Sequence, residues 1–139
     1  MSAAATSSTP KPMPMPDEES KAYFEAAERG VLLLKQCGDC QAYLQPDAKF
    51  CSQCLGEKLE WAEASGKGTL FTFGIVHQKI PGFENDTPYN VSVIQLPEGP
   101  RMTCNVIECA NEDLKVGMPL QVLFQDAGNG TPIPRFRPA

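Results

Sequence analysis

Hydrophobic positions fall along this chain in short alternating runs, and only one stretch shows helical spacing. The clearest runs are Val31–Leu34 (VLLL), Thr69–Gln78 (TLFTFGIVHQ), Asn90–Leu96 (NVSVIQL), Arg101–Glu108 (RMTCNVIE) and Leu120–Gln125 (LQVLFQ). Each has strand length, is rich in β-branched or aromatic residues, and is bounded by turn formers. Val91 and Val93 alternate with Ser92, while Met102, Cys104 and Val106 share a face opposite Arg101, Thr103 and Asn105. That alternation turns Cys104 inward as a core residue. Pro97-Glu98-Gly99-Pro100 is a turn, and Asn111–Leu114 fits one helical turn before Val116-Gly117. Thr131–Pro138 (TPIPRFRP) fits an edge strand, where prolines are tolerated. Four or five short strands with a helical turn before the last ones predict a small Greek-key barrel of OB type over residues 65–139.

The helical spacing lies near the start. Tyr23, Ala26, Ala27 and Gly30 are three and four residues apart, Pro16 precedes acidic residues suited to a first turn, and Gly30 is a natural stop. These signals predict a helix over 17–30. A helix this short needs a surface to pack on, so Tyr23 and Phe24 face either the protein's own core or a partner subunit. Before it, residues 1–16 place Pro10, Pro12, Pro14 and Pro16 at alternate positions, which predicts an extended, disordered leader.

Between helix and barrel stand Cys37-Gly38-Asp39-Cys40 and Cys51-Ser52-Gln53-Cys54. Two C-x-x-C turns at short separation supply four thiolates, the donor set of a tetrahedral structural zinc. Four protein ligands leave no open position for a substrate, so the site reads as a support. Two disulfides are the alternative reading, and the lack of a secretory pattern weighs against them. Iron is the alternative metal, since a thiolate tetrad accepts both, and optical absorption separates them. Val31–Leu34 and Glu57–Ala64, the latter with Leu59 and Trp61, are the strands expected to carry the two turns, giving a zinc ribbon over 31–64. A module of that size needs its metal to fold.

Charge narrows the partners. The chain of 139 residues carries 12 basic and 17 acidic side chains, a formal net of -5. Four thiolates and one zinc take it to about -7. From Gly66 onward 6 basic residues face 7 acidic ones. This is a poor footprint for nucleic acid, the second use that ribbons and OB-folds have. Phe71 and Phe73 could form a stacking platform, but on a barrel strand they are expected in the core. No run is long enough for a membrane-spanning helix, and the expected compartment is the reducing cytoplasm. The single histidine, His77, ends the first barrel strand, where it is expected to anchor a loop or fill core. Cys109, expected at an exposed strand end, has Glu108 beside it, which disfavours a thiolate. No nucleophile stands beside a base.

The order of marks resembles the zinc-ribbon and OB-fold family of acyl-CoA-associated proteins. The marks are Gly30-Val31-Leu32, the Cys37, Cys40, Cys51, Cys54 tetrad, Glu60-Trp61, Ser65-Gly66-Lys67-Gly68-Thr69, Pro81-Gly82-Phe83, Pro88-Tyr89, Leu114-Lys115-Val116-Gly117-Met118 and Pro134-Arg135-Phe136. They run in order over roughly residues 17–138. One departure is the position after each cysteine pair, where the family usually has Gly and this chain has Gln41 and Leu55. Gly there eases a left-handed backbone, so some knuckle strain is expected. The resemblance implies a mainly β protein that is not an enzyme by itself. It would be an accessory subunit in a hetero-oligomer with a thiolase or thiolase-like aldolase, acting on acyl-CoA such as aromatic or steroid side-chain thioesters. It implies the tetrad as zinc ligands. It also implies that Tyr23, Phe24, His77, Lys79, Phe83 and Tyr89, on the helix and the 78–89 loop, contact the catalytic subunit or the acyl-CoA. Neither nucleic acid nor membrane is expected as a partner. Scattered cations such as Lys79, Arg101, Arg135 and Arg137 would meet coenzyme A phosphates or simply face solvent.

Overall fold

A computed structural model of the chain describes residues 13–83 and 85–139. One helix, α1 (Lys21–Glu28), precedes a three-stranded sheet of β1 (Leu33–Cys37), β2 (Tyr43–Leu44) and β3 (Leu59–Glu63) in the order β2-β1-β3. A five-stranded antiparallel sheet follows, built from β4 (Lys67–Val76), β5 (Tyr89–Gln95), β6 (Arg101–Cys104), β7 (Pro119–Asp126) and β8 (Pro132–Pro138). Its order is β6-β5-β4-β7-β8, with a 3-10 turn at Asn111–Asp113 before β7. The fold is mainly β, as the alternating runs require.

The sheet curls until its two ends meet. Phe136 N–H donates to Asn105 C=O at 3.1 Å and Ile107 N–H to Phe136 C=O at 2.8 Å, joining β8 to the chain just after β6. The prolines of β8 explain why this edge works. Pro132, Pro134 and Pro138 alternate with Ile133, Arg135 and Arg137, which keep their N–H groups for the pairing with β7. Phe136 is the exception among the even positions, and its N–H makes the closing bond. Gly68 serves the same curvature: a Cβ there would lie 2.3 Å from Ile94 Cγ2, inside any tolerable contact.

The core of this half-barrel holds Leu70, Ile94, Leu96, Met102, Val106, Leu114, Leu120 and Phe136. Leu32 and Leu34, which belong to the ribbon side of the chain, are buried in that same core. The ribbon's own cluster is small: Cys37, Leu44 and Cys51. Strand faces differ from a simple hydrophobic count. On β5 the buried residues are Asn90, Ser92 and Ile94, while Val91 is exposed. Phe71, expected in the core, is 45% exposed because it alternates with buried Gly68 and Leu70; the bulge between Leu70 and Thr72 shifts the phase only beyond it, and the Arg101 guanidinium lies 3.8 Å over its ring. Phe73 does pack against the core.

The helix also starts later than its acidic residues suggest. Asp17 and Ser20 bind each other in a local turn: Ser20 N–H and O–H each donate to Asp17 Oδ1 at 2.9 Å, and Asp17 N–H donates to Ser20 Oγ at 3.0 Å. That turn holds the Asp17 carboxyl below its ordinary range and leaves Lys21 as the first helical residue. The end falls as expected. Gly30 adopts φ 77°, with Gly30 N–H donating to Ala27 C=O and Val31 N–H to Ala26 C=O, the paired bonds of a left-handed helix stop. Ala26 and Ala27 are buried, and Tyr23 packs on the barrel core, where burial pushes its phenol pKa well up. Of the expected leader, residues 1–12 lie outside the described residues. Met13–Pro16 form neither helix nor strand, and Met13 and Pro14 lie against the barrel.

Candidate metal centre and barrel cleft

The four tetrad cysteines come from two turns that repeat each other fourteen residues apart. Cys37 N–H donates to Ala42 C=O and Cys51 N–H to Gly56 C=O, while Gln41 N–H returns to Cys37 C=O and Leu55 N–H to Cys51 C=O. The first sulfur of each pair accepts a backbone N–H, from Asp39 to Cys37 Sγ at 3.4 Å and from Gln53 to Cys51 Sγ at 3.3 Å. Each turn then exits through a left-handed residue, Gln41 at φ 66° and Leu55 at φ 63°, the two positions where glycine was missed in the sequence. The knuckle is therefore complete, with the strain carried by two side-chain-bearing residues.

All four sulfurs lie within 4.8 Å of one another, with Cys37–Cys54 at 3.6 Å and Cys40–Cys51 at 3.5 Å. A tetrahedral zinc with bonds of about 2.3 Å sets its sulfurs about 3.8 Å apart, so the group fits the ion. None of the six cysteines is in a disulfide, which removes that alternative. Cys37 and Cys51 are buried and Cys40 and Cys54 exposed, so the ion would be screened on one side only. Electrostatics agree with the geometry. The N–H groups of Cys54 and Gln53 pull Cys51 down to about 7. Cys54 and Cys40 go up, Cys54 to about 12: backbone N–H groups of Gly56 and Ala42 lower them, and the neighbouring sulfurs with burial outweigh that. Four thiolates this close need a dication between them.

A second feature is a cleft of about 540 Å³ on the barrel, between the β4–β5 loop and the β7–β8 hairpin. Phe83 and Tyr89 line it, their ring centroids 6.1 Å apart. Its floor is a polar network that the sequence did not announce. Asn90 Oδ1 accepts from Ser92 O–H at 2.7 Å and Val106 N–H at 2.8 Å, and Asn90 Nδ2 donates to Val106 C=O at 2.8 Å. Asn105 in turn orients Arg135, whose Nη1 donates to Asn105 Oδ1 at 2.6 Å. Among the described residues Arg135 has no carboxylate at ion-pair distance. Asn90 and Asn105, in or beside strand ends, were the available signal.

Two family models cover most of the chain in order. Residues 24–60 match the rubredoxin-like zinc ribbon domain of ChsH2, and residues 61–125 match the C-terminal OB-fold domain of ChsH2. A DUF35 domain-containing scaffold protein of Methanocaldococcus jannaschii is 32% identical over 99 residues, 70% of each chain. The chain belongs to this family of zinc-ribbon and OB-fold proteins.

A zinc ribbon of this kind holds structural zinc, in agreement with the sulfur cluster. The chain is also similar to a solved structure described as "Ltp2-ChsH2(DUF35) aldolase", at 27% identity and TM-score 0.78, covering 91% of this chain and 98% of that one. A probable enoyl-CoA hydratase alpha subunit of Thermomonospora curvata is 30% identical over 130 residues, and this chain spans 40% of its length. A DUF35 structure of unknown function from Sulfolobus solfataricus shares the fold, with TM-score 0.61 at 16% identity.

The residues expected to touch a partner separate into two places. Tyr23 and Phe24 stack edge-on with centroids 5.2 Å apart, and both border a cleft of about 300 Å³ with Trp61. Trp61 is half-buried, with Lys35 Nζ 4.9 Å over its ring. Phe83 and Tyr89 line the barrel cleft; His77 and Lys79 are exposed and lie outside that lining. His77 is thus not a core residue. Cys104 packs inward as expected, and burial lifts its thiol to about 11 against the opposing Arg135 charge. Cys109, read as a strand-end residue open to exposure, is half-buried against the core. No described helix is long and apolar enough to cross a membrane.

Proposed function

We propose that this chain is a non-catalytic, zinc-stabilised accessory subunit of a complex that cleaves or forms carbon–carbon bonds on acyl-CoA thioesters. Its catalytic partner would be a thiolase-like aldolase or a thiolase. The observation that carries this is the likeness, over nearly the whole length of both chains, to the structure described as "Ltp2-ChsH2(DUF35) aldolase". Cys37, Cys40, Cys51 and Cys54 would ligate the zinc, whose role is to lock the two knuckles. With four protein ligands it offers a substrate no open position. The described side chains support a supporting role. Cys104 is held protonated by burial at neutral pH, and His77 stands exposed at a strand end.

The α1 aromatics Tyr23 and Phe24, together with His77, Lys79, Phe83 and Tyr89 on and beside the β4–β5 loop, would contact the catalytic subunit or the acyl-CoA. The hydratase-named relative, which aligns with 93% of this chain, favours a second partner class, an enoyl-CoA hydratase. The test is to purify the chain alone and with its co-expressed neighbour. The isolated chain should turn over no acyl-CoA, and the complex should lose activity when zinc is chelated. Thiolysis or aldol cleavage by the isolated chain, or full activity of a verified zinc-free complex, would overturn the reading.

A further inference from the structure

The barrel cleft is bordered by the protein's own leader. Met13 and Pro14 are among its lining residues. Pro14 C=O accepts a hydrogen bond from Asn129 Nδ2 at 3.0 Å, a contact between segments 115 residues apart. Met13 lies against the hairpin tip: a Cβ added to Gly128 would sit 3.3 Å from Met13 Cε and 3.5 Å from its sulfur. The tip is built to present that donor. Asp126 Oδ1 accepts from Gly128 N–H at 2.7 Å and Gly130 N–H at 2.9 Å, and Asn129 Oδ1 accepts from Thr131 N–H at 3.1 Å. With its Oδ1 so engaged, Asn129 offers its amide hydrogens to the leader.

The leader's sequence suits the role. Pro14 and Pro16 fix the backbone and remove N–H groups, so the segment cannot pair as a strand and loses little entropy on docking. Alternating prolines also favour an extended form that aromatic-lined grooves accept, and Phe83 and Tyr89 supply such a wall. Met13 brings a flexible thioether to an irregular gap and is 39% exposed, against 82% for Met15 two residues on.

We propose that Met13 and Pro14 form an internal strap seated on the cleft between the β4–β5 loop and the β7–β8 hairpin, so that any group entering the cleft must displace it. That the entering group is an acyl-CoA or the catalytic subunit rests on the accessory-subunit reading; the strap itself does not. Its occupancy would reduce apparent affinity in proportion to the closed fraction.

The experiment uses the full zinc-loaded chain without any partner, so its failure leaves the accessory reading intact. With methionine methyl labels, Met13 Cε should show nuclear Overhauser contacts to Gly128 and its neighbours. Asn129→Ala should weaken them, and Met13→Glu, which adds a carboxylate to the cleft that Asp86 and Asp126 line, should abolish docking while the other resonances stay dispersed. A synthetic peptide of residues 8–18 should then bind M13E about tenfold more tightly than the wild type, shifting Phe83 and Tyr89 resonances. Absent Met13 contacts in the wild type, equal peptide binding to both chains, or binding to neither would each overturn the strap.

Discussion

Two side chains show how individual positions carry this fold at a cost. Leu55 is 72% exposed at φ 63°, so it contributes little burial while holding a backbone that costs an L-residue about 1 kcal/mol or more. Glycine removes that strain but adds roughly 0.5–1 kcal/mol of chain entropy to the unfolded state. Leu55→Gly should therefore leave zinc-loaded stability equal or raise it by up to about 1 kcal/mol. Urea unfolding measures it, and a loss beyond that size would mean the leucine makes packing contacts that its exposure denies. Asn90 is the opposite case, 4% exposed and bonded to both backbone groups of Val106. Asn90→Ala strands a buried N–H and a C=O, so it should cost about 2–4 kcal/mol, whereas an outward substitution such as Val91→Thr should cost under about 1 kcal/mol. Equal effects at the two positions would remove the network from the account of how the cleft floor is held.

Elements were legible where the chain repeats a simple rule. The C-x-x-C spacing gave the knuckles outright, and Gly30 gave the helix end, because each rests on bonds within a few residues. The helix start was not legible, since Asp17 binds Ser20 in place of helical N–H groups. Nor were the strand faces: the Leu70/Thr72 bulge that sets Phe71 and Phe73 on opposite faces, and the closing strand that Asn90 braces, depend on partners distant in sequence. The ribbon yields a pH prediction. Without metal the thiolates are lost as pH falls, Cys54 and Cys40 earliest and Cys51, which the backbone N–H groups of Cys54 and Gln53 hold down to about 7, last. Zinc competes with protons for the same sulfurs and moves that loss further down. Zinc release followed with a chromophoric chelator should thus have its midpoint below pH 7 and involve more than one proton. Retention unchanged down to strongly acid pH would speak against thiolate ligation.

At the scale of the whole molecule, the decisive fact is that β1 and the residue before it serve two cores. Cys37 begins the first knuckle, whereas Leu32 and Leu34 are buried among Leu70, Ile94 and Phe136 of the barrel. The same short strand therefore transmits order from metal to barrel, and ribbon and barrel should unfold together. The single tryptophan, Trp61, sits on β3 opposite Lys35 of β1 and reports the ribbon, while far-ultraviolet circular dichroism is dominated by the longer barrel strands. In the zinc-loaded chain the two signals should give one coincident transition. Leu34→Ala, removing a fully buried side chain from the shared core, should cost about 2–5 kcal/mol and move both signals equally. Zinc removal should likewise lower the midpoint of the barrel signal, although no cysteine ligand lies in the barrel. Separate transitions, or a barrel indifferent to zinc, would make the ribbon an independent appendage. The zinc would then lock its two knuckles without fixing the helix and the cleft loop relative to one another.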